Sequence, residues 1–331
     1  MRVKLLATIG PSSFNQSTIG AMEANGVDLF KINLSHTKIN DLPETIENLQ
    51  SWSCVPICLD SEGAQVRNQY MINEAVAFKE GDDVKIHPNE IRGDSENISF
   101  APHCVFSQLI VGDLIYVDFH AVTLKIIEKR DELLLAKVIS SGVVGSNKAV
   151  NINREIKLDP ITKKDSEAVH IGKKLGITSF DLSFTNSADD VKRVREIIGM
   201  DVNLISKIES IRGVLNLDEI LPLVDEILID RGDLSREVAI EKIPFLQRRI
   251  ISKARSKNVP VYVATNLLES MTKTHAPTRA EVNDVASTLL MGADGLVLAA
   301  ETAIGQYPID AVKMINLLVK QFTRWTPESS A

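Results

Sequence analysis

Short apolar runs of strand length alternate with amphipathic segments of helical periodicity along most of this 331-residue chain. Eight strands that are each followed by a helix predict an α/β fold in which parallel strands close into a (β/α)8 TIM barrel. We place the strands near residues 3–9, 28–34, 55–60, 178–183, 202–207, 225–230, 259–265 and 294–299. We place the helices at residues 18–25, 41–51, 163–175, 188–198, 213–221, 244–257, 280–291 and 309–322.

Local start signals support three of these helices. Thr162 and Asp165 have the spacing of a capping box, and Ser187 directly precedes the next predicted helix. Pro308 stands at the first turn of the last predicted helix, where a missing backbone N–H costs nothing. These residues therefore predict where the helices begin.

One long stretch breaks the alternation of strand and helix. From about residue 68 to 154 the helical signal fades, and short β-type segments alternate with Gly, Asp and Asn turns. We predict a small all-β domain at 68–154, inserted after the third strand of a barrel built from 1–67 and 155–331. A long insertion on the functional face of a barrel is typical of a lid, and an inert insertion is the alternative.

Composition and charge argue against several classes of partner. The net charge is −7 and the basic residues are dispersed, so nothing indicates binding to nucleic acid or to an anionic membrane. No apolar stretch is long enough to cross a bilayer. Cys54, Cys58 and Cys104 lack metal-ligand spacing and leave one cysteine unpaired, which indicates reduced thiols in a cytoplasmic protein.

Polar residues fall at the carboxyl ends of the predicted strands, which share one mouth in a barrel of this kind. Lys207 and Glu209 end the fifth strand two positions apart, so they point the same way on an extended chain. Gly232 and Asp233 follow the sixth strand, and Thr265 ends the seventh. The other polar residues at these ends are Lys31, Asn33, Ser35 and His36, Asp60, Ser61 and Arg67, and Ser183.

These residue types suggest charge stabilisation rather than nucleophilic catalysis. Glu209 and Asp233 are hard oxygen ligands of the kind that Mg²⁺ or Mn²⁺ prefers, and no His or Cys cluster indicates zinc. Lysine and arginine side chains at the same mouth suit phosphate oxygens, as phosphoryl transfer requires. A structural ion pair between Lys207 and Glu209 is the alternative. We expect a second oxygen site, suited to a monovalent cation, at Asn33, Ser35, Asp60 and Ser61.

The motifs resemble those of the pyruvate kinase family over nearly the whole chain. They include Thr8-Ile9-Gly10-Pro11, Asn33-Leu34-Ser35-His36, Ser206-Lys207-Ile208-Glu209, Arg231-Gly232-Asp233-Leu234, Pro277-Thr278-Arg279-Ala280-Glu281 and Glu301-Thr302-Ala303. So many motifs in the same order make a chance likeness very improbable. The inserted domain is similar to the mobile lid of that family.

The resemblance implies a glycolytic, cytoplasmic enzyme that converts phosphoenolpyruvate and ADP to pyruvate and ATP with Mg²⁺ or Mn²⁺. Lys207 would then bridge the transferring phosphoryl group, while Glu209 and Asp233 hold the divalent ion. Thr265, near the path of proton delivery, would bind the substrate carboxylate with the Gly232-Asp233 backbone; Ser183 would also contact substrate. Asn33, Ser35, Asp60 and Ser61 would match a K⁺ site. The residues toward the nucleotide phosphates would be Lys31 (also a catalytic candidate), His36, Arg67, Asp118 and Lys148.

Several positions depart from the family pattern. Lys31 stands where arginine is usual and lacks the planar two-point clamp that arginine makes on phosphate. Glu62 replaces a lysine, Gln65 replaces a residue linked to K⁺ dependence, and Ala299-Ala300 replaces a Ser-Gly pair. Two alternatives therefore stay open: another enzyme on this scaffold, with a different phosphoryl acceptor or pyruvate-enolate chemistry, and a non-catalytic regulator that senses phosphoenolpyruvate.

The resemblance also bears on assembly and regulation. The chain stops after the eighth predicted helix, so we expect no C-terminal regulatory domain and no sugar-phosphate activation through it. A homodimer formed through the barrel is expected by resemblance alone.

Overall fold

The computed structural model describes residues 2–118, 120–130 and 132–325. The chain divides into two compact units, residues 1–63 with 160–331 and residues 64–159. From the sequence, we place these divisions after residues 67 and 154, and those domain boundaries stay a prediction. Arg67 falls in the second unit rather than in the barrel segment, because its strand, Val66–Asn68, pairs with Asn97–Ala101 and Ala149–Ile152.

The first unit is a closed barrel of eight parallel strands, which confirms the predicted fold class. The third strand pairs directly with the fourth, although the whole second unit separates them in the chain. The eighth strand pairs with the first, with Gly295 opposite Lys4. In chain order the strands are Lys4–Ile9, Leu29–Asn33, Ile57–Asp60, Ser179–Leu182, Asn203–Ile208, Glu226–Asp230, Val261–Ala264 and Gly295–Leu298.

Amphipathic helices lie against this barrel and bury one face each. Thr162 and Asp165 form the predicted capping box, Ser187 caps the next helix through its side chain, and Pro308 is the first residue of the last helix. The helices are Gln16–Ala24, Leu42–Trp52, Lys163–Lys174, Ala188–Ile198, Ile211–Leu215, Leu217–Ile220, Arg231–Glu237, Ile243–Ser256, Arg279–Met291, Ala300–Ala303 and Pro308–Arg324. None of the helices in the described residues has the length and apolar character needed to cross a membrane.

The helix predicted at residues 213–221 is wrong in detail. Two short helices meet there at Asn216, whose backbone leaves helical geometry and whose side-chain amide donates to the Asn186 carbonyl at 2.7 Å. A 3₁₀ turn, Leu221–Leu223, follows them. Pro222 limits the second of these helices, because proline has no backbone N–H to donate to the carbonyl four residues earlier.

Alternation along the barrel strands decides which polar groups reach the mouth. The interior contains an apolar cluster that includes Cys58, Ile205 and Leu228. Side chains two positions apart face the same side of a strand. Two residues after each of these three positions come Asp60, Lys207 and Asp230, respectively. Their side chains therefore lie on the interior side of the barrel, near the carboxyl ends of the strands.

The second unit has its own apolar core and a different topology. Seven of its strands form a closed barrel, and Ala75–Phe78 pairs with Gly142–Gly145 in a separate two-stranded sheet. The strands of the closed barrel are Val66–Asn68, Asp83–His87, Asn97–Ala101, Leu114–Val117, Val122–Lys129, Leu134–Ser140 and Ala149–Ile152. One short helix, Cys104–Gln108, accompanies them. An inserted β-barrel domain is thus confirmed, and its action as a lid stays a prediction.

Candidate active site

Lys207 is the centre of a buried group of oxygens at the end of the fifth strand. Its Nζ lies 3.1 Å from Ser183 Oγ, 3.3 Å from Glu209 Oε2 and 3.4 Å from Asp60 Oδ1. Burial alone would lower the pKa of Lys207, but the Asp60 and Glu209 carboxylates raise it well above its ordinary value. The side chain is therefore a fixed positive charge with several anionic neighbours.

Glu209, Asp230 and Asp233 each bring a carboxylate oxygen within 4.8 Å of the other two. Glu209 Oε1 accepts a hydrogen bond from the Phe184 N–H at 2.6 Å. Its Oε2 is buried and makes no hydrogen bond within the described part of the chain; Lys207 is its ionic neighbour. Burial raises the pKa of Glu209 to about 8, with the Asp233 and Asp230 charges acting in the same direction and Lys207 opposing them.

This cluster is chemically suited to a divalent cation. Carboxylate oxygens are the ligands that Mg²⁺ and Mn²⁺ take in proteins, usually with waters and substrate oxygens completing the shell. A buried carboxylate oxygen without a hydrogen-bond donor among the described residues is a ready ligand atom. The residues present therefore fit the ion expected from the sequence.

Asp230 is the residue of this cluster that the sequence analysis did not assign. Its Oδ1 accepts hydrogen bonds from Thr265 Oγ1 at 2.6 Å, from the Gly232 N–H at 3.1 Å and from the Asp233 N–H at 3.4 Å. Its Oδ2 lies 3.9 Å from Lys207 Nζ. Strand alternation was the available signal, because Asp230 follows the interior residue Leu228 by two positions.

Thr265 is held in an uncommon backbone conformation just beyond the seventh strand. Its φ is +74° and that of Asn266 is +56°, in the left-handed region that is sterically costly for a β-branched residue. Arg231 fixes this turn: its Nε and Nη2 donate to the Thr265 carbonyl at 3.1 and 2.6 Å, and its Nη1 lies 2.7 Å from Asp284. The surrounding contacts thus direct the Thr265 hydroxyl toward Asp230.

Lys31 lies deeper than the sequence analysis expected. It is only 2% exposed, and its Nζ contacts Asp181 Oδ2 at 2.5 Å and Asp60 Oδ2 at 3.2 Å. Although burial would lower the pKa of Lys31, Asp181 and Asp60 raise it. Asp60 thus uses one oxygen for Lys31 and the other for Lys207. A lysine engaged in this way has little freedom to reach a nucleotide phosphate.

The four residues of the expected monovalent-cation site are only partly brought together. Asn33 and Asp60 lie opposite each other on adjacent strands. However, Asn33 Oδ1 accepts from the Ser35 N–H at 2.9 Å, and Ser61 Oγ accepts from the Ser183 N–H at 2.9 Å. With Asp60 shared between two lysines, these oxygens already have protein partners. The K⁺ site stays a prediction.

The residues expected toward the nucleotide belong to both units. Arg67, Asp118 and Lys148 lie in the second unit, where Lys148 Nζ is 3.7 Å from Asp118 Oδ2 and Arg67 Nη1 donates to the Asn147 carbonyl at 2.9 Å. The second unit therefore gathers three of the predicted residues at one end of Ala149–Ile152. His36 belongs to the first unit and is exposed.

The whole-chain comparison identifies the family. The family model described as "Pyruvate kinase, barrel domain" matches residues 1–312. The chain belongs to the pyruvate kinase family. Among curated relatives, pyruvate kinase of Thermococcus litoralis is 34% identical over 328 residues, which cover 96% of this chain and 69% of that protein. Pyruvate kinase of Geobacillus stearothermophilus is 33% identical over 327 residues, covering 95% of this chain and 56% of that protein.

Pyruvate kinase of Thermotoga maritima is likewise 33% identical over 327 residues, covering 96% of this chain and 70% of that protein. The chain thus spans between about half and somewhat over two thirds of the length of these relatives.

Glu62, one of the departures from the pyruvate kinase pattern, has a lysine beside it. Glu62 stands where a lysine is usual in the family, and its Oε1 lies 2.7 Å from the Nζ of Lys164. The same Nζ donates to the Leu34 carbonyl at 2.5 Å. Lys164, on the helix Lys163–Lys174, therefore brings a positive charge beside the altered position. Sequence reasoning missed this residue, because it lies about a hundred positions away in the chain.

Proposed function

We propose that this chain catalyses metal-assisted phosphoryl transfer between phosphoenolpyruvate and ADP, giving pyruvate and ATP. The observation that carries the proposal is the position of Lys207, whose ammonium lies 3.3 Å from Glu209 and within the reach of the carboxylate cluster. Membership of the pyruvate kinase family supports the same reaction. Phosphoryl transfer needs positioning and charge stabilisation rather than a protein nucleophile, and the site offers both.

The divalent ion would be held by Glu209 and Asp233. When bound, Mg²⁺ or Mn²⁺ supplies charge neutralisation at the phosphoryl and enolate oxygens. Asn33, Ser35, Asp60 and Ser61 are proposed for K⁺, by family resemblance.

The chain's own groups have distinct tasks in this proposal. Lys207 binds the transferring phosphoryl oxygens, and its contacts with Ser183 and Asp60 hold the ammonium in one place. The Thr265 hydroxyl and the Gly232-Asp233 backbone bind the substrate carboxylate. By family resemblance, Thr265 would also lie near the carbon that is protonated when enolpyruvate becomes pyruvate. The roles of His36, Arg67, Asp118 and Lys148 toward nucleotide phosphates stay predictions.

One observation favours a second candidate function. Lys31, expected at the nucleotide side, is buried between Asp181 and Asp60. A chain that has withdrawn this cation from phosphate binding can use the same metal and lysine with a phosphoryl acceptor other than ADP. A panel of nucleoside diphosphates and small hydroxylated acceptors, each offered with phosphoenolpyruvate, distinguishes the two candidates.

The test of the proposed reaction is turnover of phosphoenolpyruvate and ADP with Mg²⁺, with and without K⁺, in the wild type and in Lys207→Met. Loss of one preorganised charge should lower kcat by about 10²–10³-fold or more. The control is Lys253→Met, which removes a lysine that pairs with Asp218 elsewhere on the same unit. Nearly full activity in Lys207→Met would refute the assigned role, and a wild type inactive with ADP would refute the acceptor.

A further inference from the structure

We propose that the Asp230 side chain competes with the substrate's carboxylate for the same hydrogen-bond donors. The substrate must therefore displace Asp230 from these donors in order to bind. This inference rests on the proposed function, because it assigns Thr265 to the carboxylate end of the substrate. Asp230 Oδ1 is the acceptor for Thr265 Oγ1 at 2.6 Å, and Asp230 Oδ2 faces Lys207 Nζ at 3.9 Å. One carboxylate therefore spans the two groups that an incoming anion needs.

Hydrogen-bond capacity makes the competition direct. A threonine hydroxyl carries one proton and donates one hydrogen bond at a time. While Thr265 donates to Asp230, it has no proton to give to a substrate oxygen. The Gly232 and Asp233 N–H groups also point at Asp230 Oδ1, at 3.1 and 3.4 Å. Carboxylate binding by these donors thus requires Asp230 to move or to share them.

Charge acts in the same direction as hydrogen bonding. Asp230 belongs to a cluster in which three carboxylates bring oxygens within 4.8 Å of one another. Like charges placed side by side in a partly buried site oppose each other strongly. A substrate carboxylate entering beside Asp230 meets this repulsion in addition to the loss of donors. The Asp230 side chain therefore lowers the affinity for any ligand that presents a carboxylate to Thr265.

A purely structural role makes a different prediction. Asp230 is the N-cap of the helix Arg231–Glu237, and aspartate is a favoured capping residue. Asparagine and serine cap nearly as well and carry no charge. If Asp230 only caps the helix, Asp230→Asn and Asp230→Ser should leave ligand affinity unchanged. If Asp230 competes with substrate, both variants should bind carboxylates more tightly.

The experiment is calorimetric titration of the whole chain with phosphoenolpyruvate, pyruvate and inorganic phosphate at fixed Mg²⁺, without ADP. In Asp230→Asn and Asp230→Ser, the Kd for phosphoenolpyruvate and pyruvate should fall by about tenfold or more, as expected when one like charge is removed at close range. The Kd for inorganic phosphate, which has no carboxylate, should fall by a smaller factor. Asp218→Asn removes an exposed aspartate on the helix Leu217–Ile220 and should change none of the three affinities.

Unchanged or weaker binding of both carboxylates in the Asn and Ser variants overturns the inference, as does an equal gain for inorganic phosphate. The turnover assay separates this failure from failure of the proposed function. Tighter carboxylate binding without turnover of ADP leaves Asp230 as a competitor and removes the proposed reaction. Turnover of ADP by the wild type, without tighter carboxylate binding in the variants, supports the proposed reaction and removes the inference about Asp230. If no variant binds either carboxylate, both proposals fail.

Discussion

At the scale of single residues, the barrel interior holds alternating charges in mutual contact. Asp181 contacts Lys31, Lys31 contacts Asp60, and Asp60 contacts Lys207. Burial raises the pKa of Asp181 in spite of Lys31, while Lys207 and Lys31 outweigh burial and lower that of Asp60. Buried charges are tolerated when paired and become costly when one partner is removed. Lys31 therefore holds Asp60, which in turn positions Lys207.

We expect Asp181→Ala to lower the free energy of unfolding by about 3–5 kcal/mol, because it leaves the buried Lys31 ammonium with one carboxylate partner instead of two. Adding Lys31→Met to this variant should recover a large part of the loss, which a double-mutant cycle in urea measures. Asp189→Ala, which breaks an exposed pair with Lys192, is the control and should cost less than about 1 kcal/mol. Additive losses at Asp181 and Lys31 would contradict the direct pairing.

Thiol reactivity provides a second prediction at this scale. Cys54 and Cys104 are exposed, whereas Cys58 is buried with its Sγ 3.0 Å from Asp181 Oδ1. Burial raises the pKa of the Cys58 thiol, so little of it is the reactive thiolate near pH 8. Ellman's reagent should therefore titrate two thiols quickly, and the third only after denaturation. Three fast thiols in the folded chain would contradict the burial of Cys58; the reducing, cytoplasmic compartment stays a prediction.

The sequence predicted part of this site by residue type and position. Lys207, Glu209 and Asp233 follow strand ends in a recognisable pattern, and the structure gathers them. Asp181 and Asp230 were given no role, because an acidic residue at or next to the end of a strand looks ordinary until its neighbours across the barrel are known. Their significance depends on Lys31 and Thr265, which lie far away in the chain.

At the scale of secondary-structure elements, one cap ties a helix to the loop after the seventh strand. Thr278 and Glu281 form a capping box at the start of Arg279–Met291. The Glu281 carboxylate also accepts from the Ser270 N–H at 2.7 Å and from Ser270 Oγ at 2.6 Å. A single side chain thus fixes both the helix start and the loop that follows Thr265.

Glu281→Gln should lower the stability at neutral pH by about 1–2 kcal/mol, because it removes the charge and one of the two carboxylate oxygens that accept from Ser270 and Thr278. Burial would raise the pKa of Glu281, but the hydrogen bonds from Ser270 lower it. A lowered pKa means that its contribution is present above the unfolded-state pKa and lost as the pH falls through the folded-state pKa. The stability gap between wild type and Glu281→Gln should therefore shrink as the pH falls below about 4.3, the ordinary pKa of glutamate, and through the lower folded-state pKa. A gap independent of pH, or an equal effect of the exposed Glu241→Gln, would contradict this assignment.

Elements were predicted best where local chemistry agrees with apolar periodicity. The caps at Thr162, Ser187 and Pro308 lie where the sequence places them. The segment at 213–221 failed, because the amide of Asn216 bonds a distant carbonyl instead of continuing the helix. Helical periodicity records which face is buried, and it cannot detect a break made by a tertiary contact.

At the scale of the whole molecule, two separate apolar cores support two units, and one of them carries the carboxylate cluster. The net charge of −7 makes cation binding favourable in general, but among the described residues only the cluster of Glu209, Asp230 and Asp233 offers three carboxylate oxygens within 4.8 Å of one another. Dimerisation through the barrel and lid movement stay predictions.

Divalent metal should stabilise the folded chain, because a ligand that binds only the native state raises stability by mass action. At a metal concentration of about 100 times its Kd, the gain is about 2.7 kcal/mol, and chelation should reverse it. The measurement is the melting temperature with Mg²⁺ or Mn²⁺ and then with EDTA. Glu209→Gln removes the buried ligand and should abolish most of the shift, while Asp218→Asn should retain it. An equal shift in both variants would place the binding elsewhere.

The pairing of the first strand with the eighth has a consequence for biosynthesis. Lys4–Ile9 leaves the ribosome about 290 residues before Gly295–Leu298, its partner across the seam. At about 5–20 residues per second, this strand waits roughly 15–60 s with one edge unpaired. An unpaired edge is a template for association with other chains, so nascent molecules should be the form most in need of chaperone protection. The rim that gathers Lys207 and Thr265 is complete only after Gly295–Leu298 has been made.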